Sequence, residues 1–275
     1  MNWGLEMYEQ ELAVALQAAD LAGRALVEEY ARFQAIPDAP ASISTEADRL
    51  SQELILGHLR RVFPHDALCA EEATATLAAA PRTGPRLWIV DPIDGTRGFA
   101  RKNGEFSVMV AFVENGEPGV GVVLEPTLER LTYAVRGGGC WKRDGADGTA
   151  VPCHVTTVAD LAAATLTQSH SRDPGKRSRL VTALNPARVV ETYSAGIKLA
   201  LVARGEADLY LNTYDAFHDW DVCAGHILVT EAGGRVTGLR GQELRFGLPG
   251  AEQRHGLLAS NGALHDTALR RLGEA

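Results

Sequence analysis

Hydrophobic periodicity changes twice along the 275 residues, and those changes set the fold class before any motif is read. Leu5, Tyr8, Leu12, Leu16, Ala19, Leu26, Tyr30 and Phe33 recur at intervals of three, four and once seven, which predicts one amphipathic helix over 5–33. Ile36–Ser44 holds two prolines and two serines and reads as a loop. A second helix is expected from Thr45 to about Phe63, where Pro64 stops it. Ala73–Pro85 reads as an exposed connection. The period then becomes that of strands: Leu87–Val90, Ser107–Val113, Gly119–Leu124 and Leu131–Val135, with Asn115-Gly116 as a hairpin turn. Past about residue 150 strands (Ala164–Gln168, Arg188–Glu191, Asp208–Leu211) alternate with helices (about Gly175–Leu184, Ala195–Arg204, Asp221–Ala232). The expectation is an α+β lobe over 1–150 followed by an α/β lobe over 151–275.

Composition narrows the function. Lys+Arg 27 against Asp+Glu 35 leaves a net charge of −8, which argues against a nucleic-acid polymer as partner. No apolar stretch reaches the roughly 18 residues that span a bilayer. The first residues are acidic and lack the basic and apolar regions of a signal peptide, so a cytoplasmic protein without a membrane partner is expected. Cys69, Cys140, Cys153 and Cys223 are scattered, with no C-x-x-C pair, and read as buried thiols.

The central motif is Asp91-Pro92-Ile93-Asp94-Gly95-Thr96, directly after a buried strand. Pro92 fixes its own φ and pushes Asp91 out of helical conformation. Gly95 permits a tight turn, and a helix starting at Gly95-Thr96 would aim free N–H groups at an anion. Hard oxygen ligands beside an anion cradle suit Mg²⁺, with substrate phosphate completing its shell. An ordinary Asp-Pro turn is the plainer alternative for the hexapeptide alone. Glu71-Glu72 follows a short apolar run; two adjacent carboxylates at a strand end are costly without a cation, although a solvated acidic loop has the same look. Asp221, at the start of the last helix, could be a helix cap. Taken together, all four acids fall at strand ends or helix starts, where α/β sheets place their sites. No Cys-x5-Arg loop or Gly-Lys-Ser/Thr loop is present for other phosphoryl chemistry.

On these residues the chain resembles the inositol monophosphatase superfamily of Mg²⁺-dependent, lithium-sensitive phosphatases. The two signatures stand as Trp88-Ile-Val-Asp-Pro-Ile-Asp-Gly-Thr96 and Trp220-Asp-Val-Cys-Ala-Gly-His-Ile-Leu-Val-Thr-Glu-Ala-Gly-Gly234. The resemblance implies a layered helix–sheet sandwich (αβαβα). It implies Glu71, Asp91, Asp94, Asp221 and the carbonyl of Ile93 as ligands of two or three Mg²⁺, with Mn²⁺ able to substitute. It implies Asp48 and Thr96, with Glu71, in activating the attacking water, and the N–H groups of Gly95 and Thr96 as the phosphate cradle. A small phosphorylated metabolite as substrate and a homodimer are also implied. The loop Gln34–Asp48 contains no Lys, where relatives usually carry one.

Three local features resemble the 3′(2′),5′-bisphosphate nucleotidase branch, so hydrolysis of adenosine 3′,5′-bisphosphate is the activity expected first. They are Arg97-Gly-Phe-Ala-Arg101 with Gly104-Glu-Phe-Ser-Val108, Ser169-His170-Ser171, and Ser194-Ala-Gly-Ile-Lys198. A cation at Lys198 would hold the second phosphate, and Ser169, His170 and Ser194 would touch substrate. Asp215 and Asp219 instead favour a sugar or inositol hydroxyl, hence inositol-1-monophosphatase. Asp-Gly-Thr-Arg leaves histidinol phosphate, or a broad range of sugar phosphates, open, although the histidinol-phosphatase branch usually lacks the Trp-Asp that stands here at Trp220-Asp221. A non-catalytic nucleotide or metal sensor is the reading from another class.

Overall fold

The computed structural model describes residues 7–171, 176–214 and 217–274. The first helix, α1 (Glu9–Arg32), and α2 (Glu46–Val62) lead into β1 (Ala67–Ala70), α3 (Ala75–Ala78), β2 (Arg86–Asp94), α4 (Thr96–Ala100), β3 (Ser107–Glu114), β4 (Glu117–Glu125), β5 (Arg130–Val135), β6 (Gly139–Asp144) and β7 (Val151–Cys153). There follow β8 (Thr165–Gln168), α5 (Arg179–Leu184), β9 (Arg188–Glu191), α6 (Ala195–Ala203), β10 (Leu209–Asn212), β11 (Phe217–His218), α7 (Asp219–Glu231), β12 (Arg235–Thr237), β13 (Glu252–Gln253), β14 (Leu257–Ser260) and α8 (His265–Gly273).

Strands β1–β7 form one sheet in chain order, antiparallel except for β1 against β2. A second sheet runs β12-β14-β10-β8-β9. Alternation along β3 shows how the layers arise, since neighbouring residues of a strand face opposite sides. Val108, Val110 and Phe112 pack with α1 and α2 residues such as Ala15, Ala19 and Ile55. Met109, Ala111 and Val113 face α6 and α7, whose Leu199, Val222 and Leu228 share a core with Tyr210 and Leu257 of the second sheet. The outer face of that sheet, with Leu166, Leu209 and Leu258, is covered by α5 and α8. The result is the five-layer αβαβα sandwich.

Helix α7 is buried between the sheets and is accordingly apolar on most sides. Its close approach to β4 depends on Gly121, where a Cβ would stand 2.5 Å from the Ala224 carbonyl oxygen and 2.3 Å from Ile227 Cγ2. The first sheet ends at Cys153 and the second begins at Thr165, but α6 and α7 pack against the first. Asn115 and Gly116 both have positive φ (54° and 84°), as a two-residue hairpin turn of that strand twist requires.

Some expectations shift. The helix expected over 5–33 is Glu9–Arg32, with residues 1–6 outside the described ones. The helix expected from about Gly175 begins at Arg179, capped by Ser178. The connection Ala73–Pro85 holds the turn α3, whose Leu77 is buried. The last core helix starts at Asp219, two residues earlier than expected. Among the described residues, no helix is long and apolar enough to cross a membrane.

Candidate active site

The candidate site forms where β2 ends. Asp91 pairs with Met109 and Asp94 with Ser107, so β2 spends three steps against two on β3. In a regular strand, residues three apart face opposite sides; the extra residue of this bulge turns both carboxylates the same way. The first turn of α7 supplies the third: carboxylate oxygens of Asp91, Asp94 and Asp221 all lie within 4.8 Å of one another.

Local hydrogen bonds fix each acid. Asp91 Oδ1 accepts from Ile93 N (3.1 Å). Asp221, at the third position of α7, accepts from His218 N (2.7 Å), closing a capping box. His218 in turn stacks on Trp220 with ring centroids 4.3 Å apart. Asp94 receives the N-terminus of α6: Ala195 N at 3.0 Å, Gly196 N at 2.6 Å and the Ser194 hydroxyl, with Ser107 Oγ at 3.1 Å. Asp94 therefore ties the first sheet to α6 as well as facing the acid cluster.

Asp48 stands nearby because Thr45 caps α2. Asp48 Oδ2 accepts from Thr45 N (2.7 Å) and Thr45 Oγ1 (2.6 Å). Its other oxygen accepts from Thr96 Oγ1 (2.9 Å), which also lies 3.0 Å from the Ile93 carbonyl oxygen. Gly95, at φ 88°, makes the turn into α4; a Cβ there would meet the Glu105 carbonyl oxygen at 2.7 Å. The N–H groups at the start of α4 have no intrahelical acceptor.

The electrostatics call for a cation. Burial, then Glu71, Asp94 and Asp221, push Asp91 well above the usual carboxylate range. Burial and, among the neighbouring charges, Asp94 bring Asp221 to about 7. Glu71 keeps an exposed edge at the mouth and lies outside the trio, yet desolvation, Asp221 and Asp48 push it up to about 8. Burial also raises Asp48. Hard oxygen donors this close, relieved only in part by the buried Lys198, fit a divalent cation.

The remaining sequence candidates lie to one side. Lys198 is 1 % exposed, and its Nζ donates to the carbonyls of Thr192 (2.8 Å) and Tyr193 (2.9 Å) and to Ser169 Oγ (3.2 Å). Its three donors are thus engaged within the fold. His170 Nε2 meets Glu105 Oε2 at 2.7 Å, its other nitrogen lies 3.6 Å from Glu191, and its ring lies 4.4 Å from that of Tyr193. Ser194 is the cap of α6, accepting from Ile197 N. Asp219 is buried and bound by Gly247 N and Gln253, not turned to substrate; Asp215 lies outside the described residues. Sequence reasoning quoted Glu105 and Ser107 only as part of a branch motif and gave His218 no role. Thr45-x-x-Asp48 could have been read as a capping pattern, but the partners of Asp94 are 13 and 100 residues away and leave no periodic signal.

Matched against known proteins, residues 7–275 fit the model of the "Inositol monophosphatase family". The chain is 34% identical over 274 residues to the histidinol-phosphatase of Mycobacterium tuberculosis, covering 97% of this chain and 99% of that protein. It is 33% identical over 225 residues to the 3′(2′),5′-bisphosphate nucleotidase CysQ of Salmonella typhimurium, covering 79% and 83%. The solved structure of a Thermotoga maritima IMPase superposes with a TM-score of 0.80 at 29% identity, covering 96% of this chain and 97% of that one.

Proposed function

The chain belongs to the inositol monophosphatase family of metal-dependent phosphomonoester hydrolases, and from that premise we propose that it hydrolyses a monoester with a cationic tail, histidinol phosphate, using Mg²⁺. The observation that carries the substrate choice is the pair Glu105 and Glu191 around His170, with the main chain of Glu105 against the Gly95 turn. Two carboxylates favour an ammonium or imidazolium and oppose a second phosphate. Lys198, the cation that would answer a second phosphate, is spent on backbone carbonyls. The likeness to a histidinol-phosphatase along nearly the whole chain supports the same reading.

Asp91, Asp94, Asp221, Glu71 and the Ile93 carbonyl would hold the cations. Bound there, they supply positive charge to the phosphate oxygens and acidity to a water. The chain's own groups do the rest. The Thr96 hydroxyl donates to Asp48 Oδ1, which leaves its lone pairs to accept from the attacking water. The raised Asp48 carboxyl then takes the proton through Thr96. The N–H groups of Gly95 and Thr96 bind the phosphate oxygens. Asp48 is held by Thr45, so the acceptor does not have to be organised during the reaction.

A second reading has its own support. Arg97 lies 5.4 Å over the Tyr193 ring, and its buried Nε has no hydrogen-bond partner among the described residues. That unspent donor beside the cradle would suit the second phosphate of adenosine 3′,5′-bisphosphate, as the likeness to a bisphosphate nucleotidase also does. Values of kcat/KM for histidinol phosphate, adenosine 3′,5′-bisphosphate and inositol 1-phosphate, measured with Mg²⁺, decide between them. Histidinol phosphate is expected to lead; a clear lead for the bisphosphate or the inositol ester overturns the choice. A cytoplasmic homodimer is part of the proposal on family resemblance, and a monomer mass by light scattering would remove the dimer.

A further inference from the structure

We propose that Cys140 and Cys153 are a modification site, a thiol pair that a small peroxide converts to a cross-strand disulfide. The two residues stand directly opposite each other on the antiparallel strands β6 and β7, in unbroken register with Trp141 opposite Pro152 and Lys142 opposite Val151. Opposed residues in such a ladder have Cα atoms roughly 4.5–5.5 Å apart. That lies inside the roughly 4.4–6.8 Å a disulfide spans, so bridging needs side-chain rotation and little backbone movement. Both side chains are on the same face, 2% and 5% exposed, in the core beneath α7.

The environment distinguishes this pair from the other cysteines. Cys69 lies on β1 and Cys223 in α7, and burial raises both thiols, Cys69 to about 12. Cys153 is lowered, first by its hydrogen bond with Cys140 and then, against burial, by Arg204 and Lys142, while the same bond pushes Cys140 up. It also ends a three-residue strand at the edge of the sheet, where Val151 and Pro152 are exposed. Fraying of a short edge strand brings a peroxide to Cys153 more readily than to a thiol inside the sandwich.

The chemistry balances without another reagent. The Cys153 thiolate attacks one peroxide oxygen and the O–O bond breaks, giving a sulfenic acid and a hydroxide that becomes water by taking up the proton the thiol had released. Cys140 sulfur attacks the Cys153 sulfur, the S–O bond breaks, and a second water leaves with the Cys140 proton. Two thiols are oxidised and one hydrogen peroxide is reduced to two waters. The link ties β7, the last strand of the first sheet, to β6, whose Gly139 N is held by Glu231 at the far end of α7 from Asp221.

The test treats the native, metal-loaded protein with hydrogen peroxide, blocks remaining thiols with N-ethylmaleimide after denaturation, and maps tryptic peptides. Lys142 and Arg143 separate the two cysteines on cleavage, so only a disulfide keeps their peptides together. The expected result is a mass loss of about 2 Da, a linked Cys140–Cys153 peptide, and alkylated Cys69 and Cys223. The linked form is also expected to melt roughly 5 °C higher than the same sample after dithiothreitol. Four alkylated cysteines after peroxide exposure, a link to Cys69 or Cys223, or Cys153 oxidised to sulfinic acid without a link would each overturn the proposal. Cys153→Ser should abolish the linked peptide; the wild-type map decides the matter even if that variant folds poorly.

Discussion

Asp91→Asn should make the metal-free protein more stable while destroying its activity. Asp91 is buried among Asp94 and Asp221, with oxygens of the three within 4.8 Å of one another. At an effective dielectric of about 20, an ionised pair at that distance repels by about 3 kcal/mol. Protonation limits the penalty, which is why Asp91 and Asp221 are raised. Asp221 stands at about 7 and Glu71 at about 8. The folded metal-free state therefore holds protons that the unfolded chain releases above about pH 4. Its stability falls as pH rises through the window from about 4 to about 8. Asparagine removes one charge, and its Oδ1 keeps the bond from Ile93 N while its amide can donate to a neighbouring carboxylate. In EDTA at pH 8, urea unfolding should show the variant more stable by about 1–3 kcal/mol, with no gain near pH 5. With saturating Mg²⁺ the wild type should recover the difference, because only it has the full ligand set. A variant that is less stable than wild type at pH 8 in EDTA would refute mutual repulsion as the governing force here.

Other outcomes follow from the same geometry. Thr96→Val removes the hydroxyl between Asp48 and the Ile93 carbonyl, so kcat should fall by about 10²-fold or more, with a modest fall in Tm; a near-normal rate would remove Thr96 from the proton path. Lys198→Met leaves the Thr192 and Tyr193 carbonyls buried without their donor and should destabilise by about 2–4 kcal/mol. It should lower turnover of mono- and bisphosphates alike; selective loss of adenosine 3′,5′-bisphosphate hydrolysis would restore a second-phosphate role. His226 and His265 are pushed down to about 4, largely by burial, and are kept neutral in the fold. Their stabilising contribution is complete above about pH 6.5 and is lost as pH falls toward 4. The acid-side fall in Tm should be shallower in His265→Asn, and an unchanged slope would contradict the assignment.

Much of the site is legible in the chain because its backbone needs are local. Asp91-Pro92-Ile93-Asp94-Gly95 encodes a strand end, a bulge and a left-handed turn within five residues. Asp221 is read from the helix whose first turn it occupies. What stayed hidden depends on contacts across the fold. Asp94 binds the start of α6 through partners about a hundred residues later. Lys198 reads as an exposed cation only if α6 is taken for a surface helix; Ala195-Gly-Ile-Lys-Leu-Ala-Leu-Val-Ala203 is apolar nearly all round, and a lone lysine there must find internal acceptors. The strands after residue 234 went unread because they are two to four residues long and are defined by pairing with β10 and β11 rather than by an alternating pattern.

The most direct measurement is the anomalous scattering of crystals soaked in Mn²⁺. Peaks between the carboxylates of Asp91, Asp94 and Asp221, with Glu71 and the Ile93 carbonyl in the coordination sphere, are the expected result. Manganese bound only elsewhere, with these oxygens coordinating nothing, would contradict the account at its root.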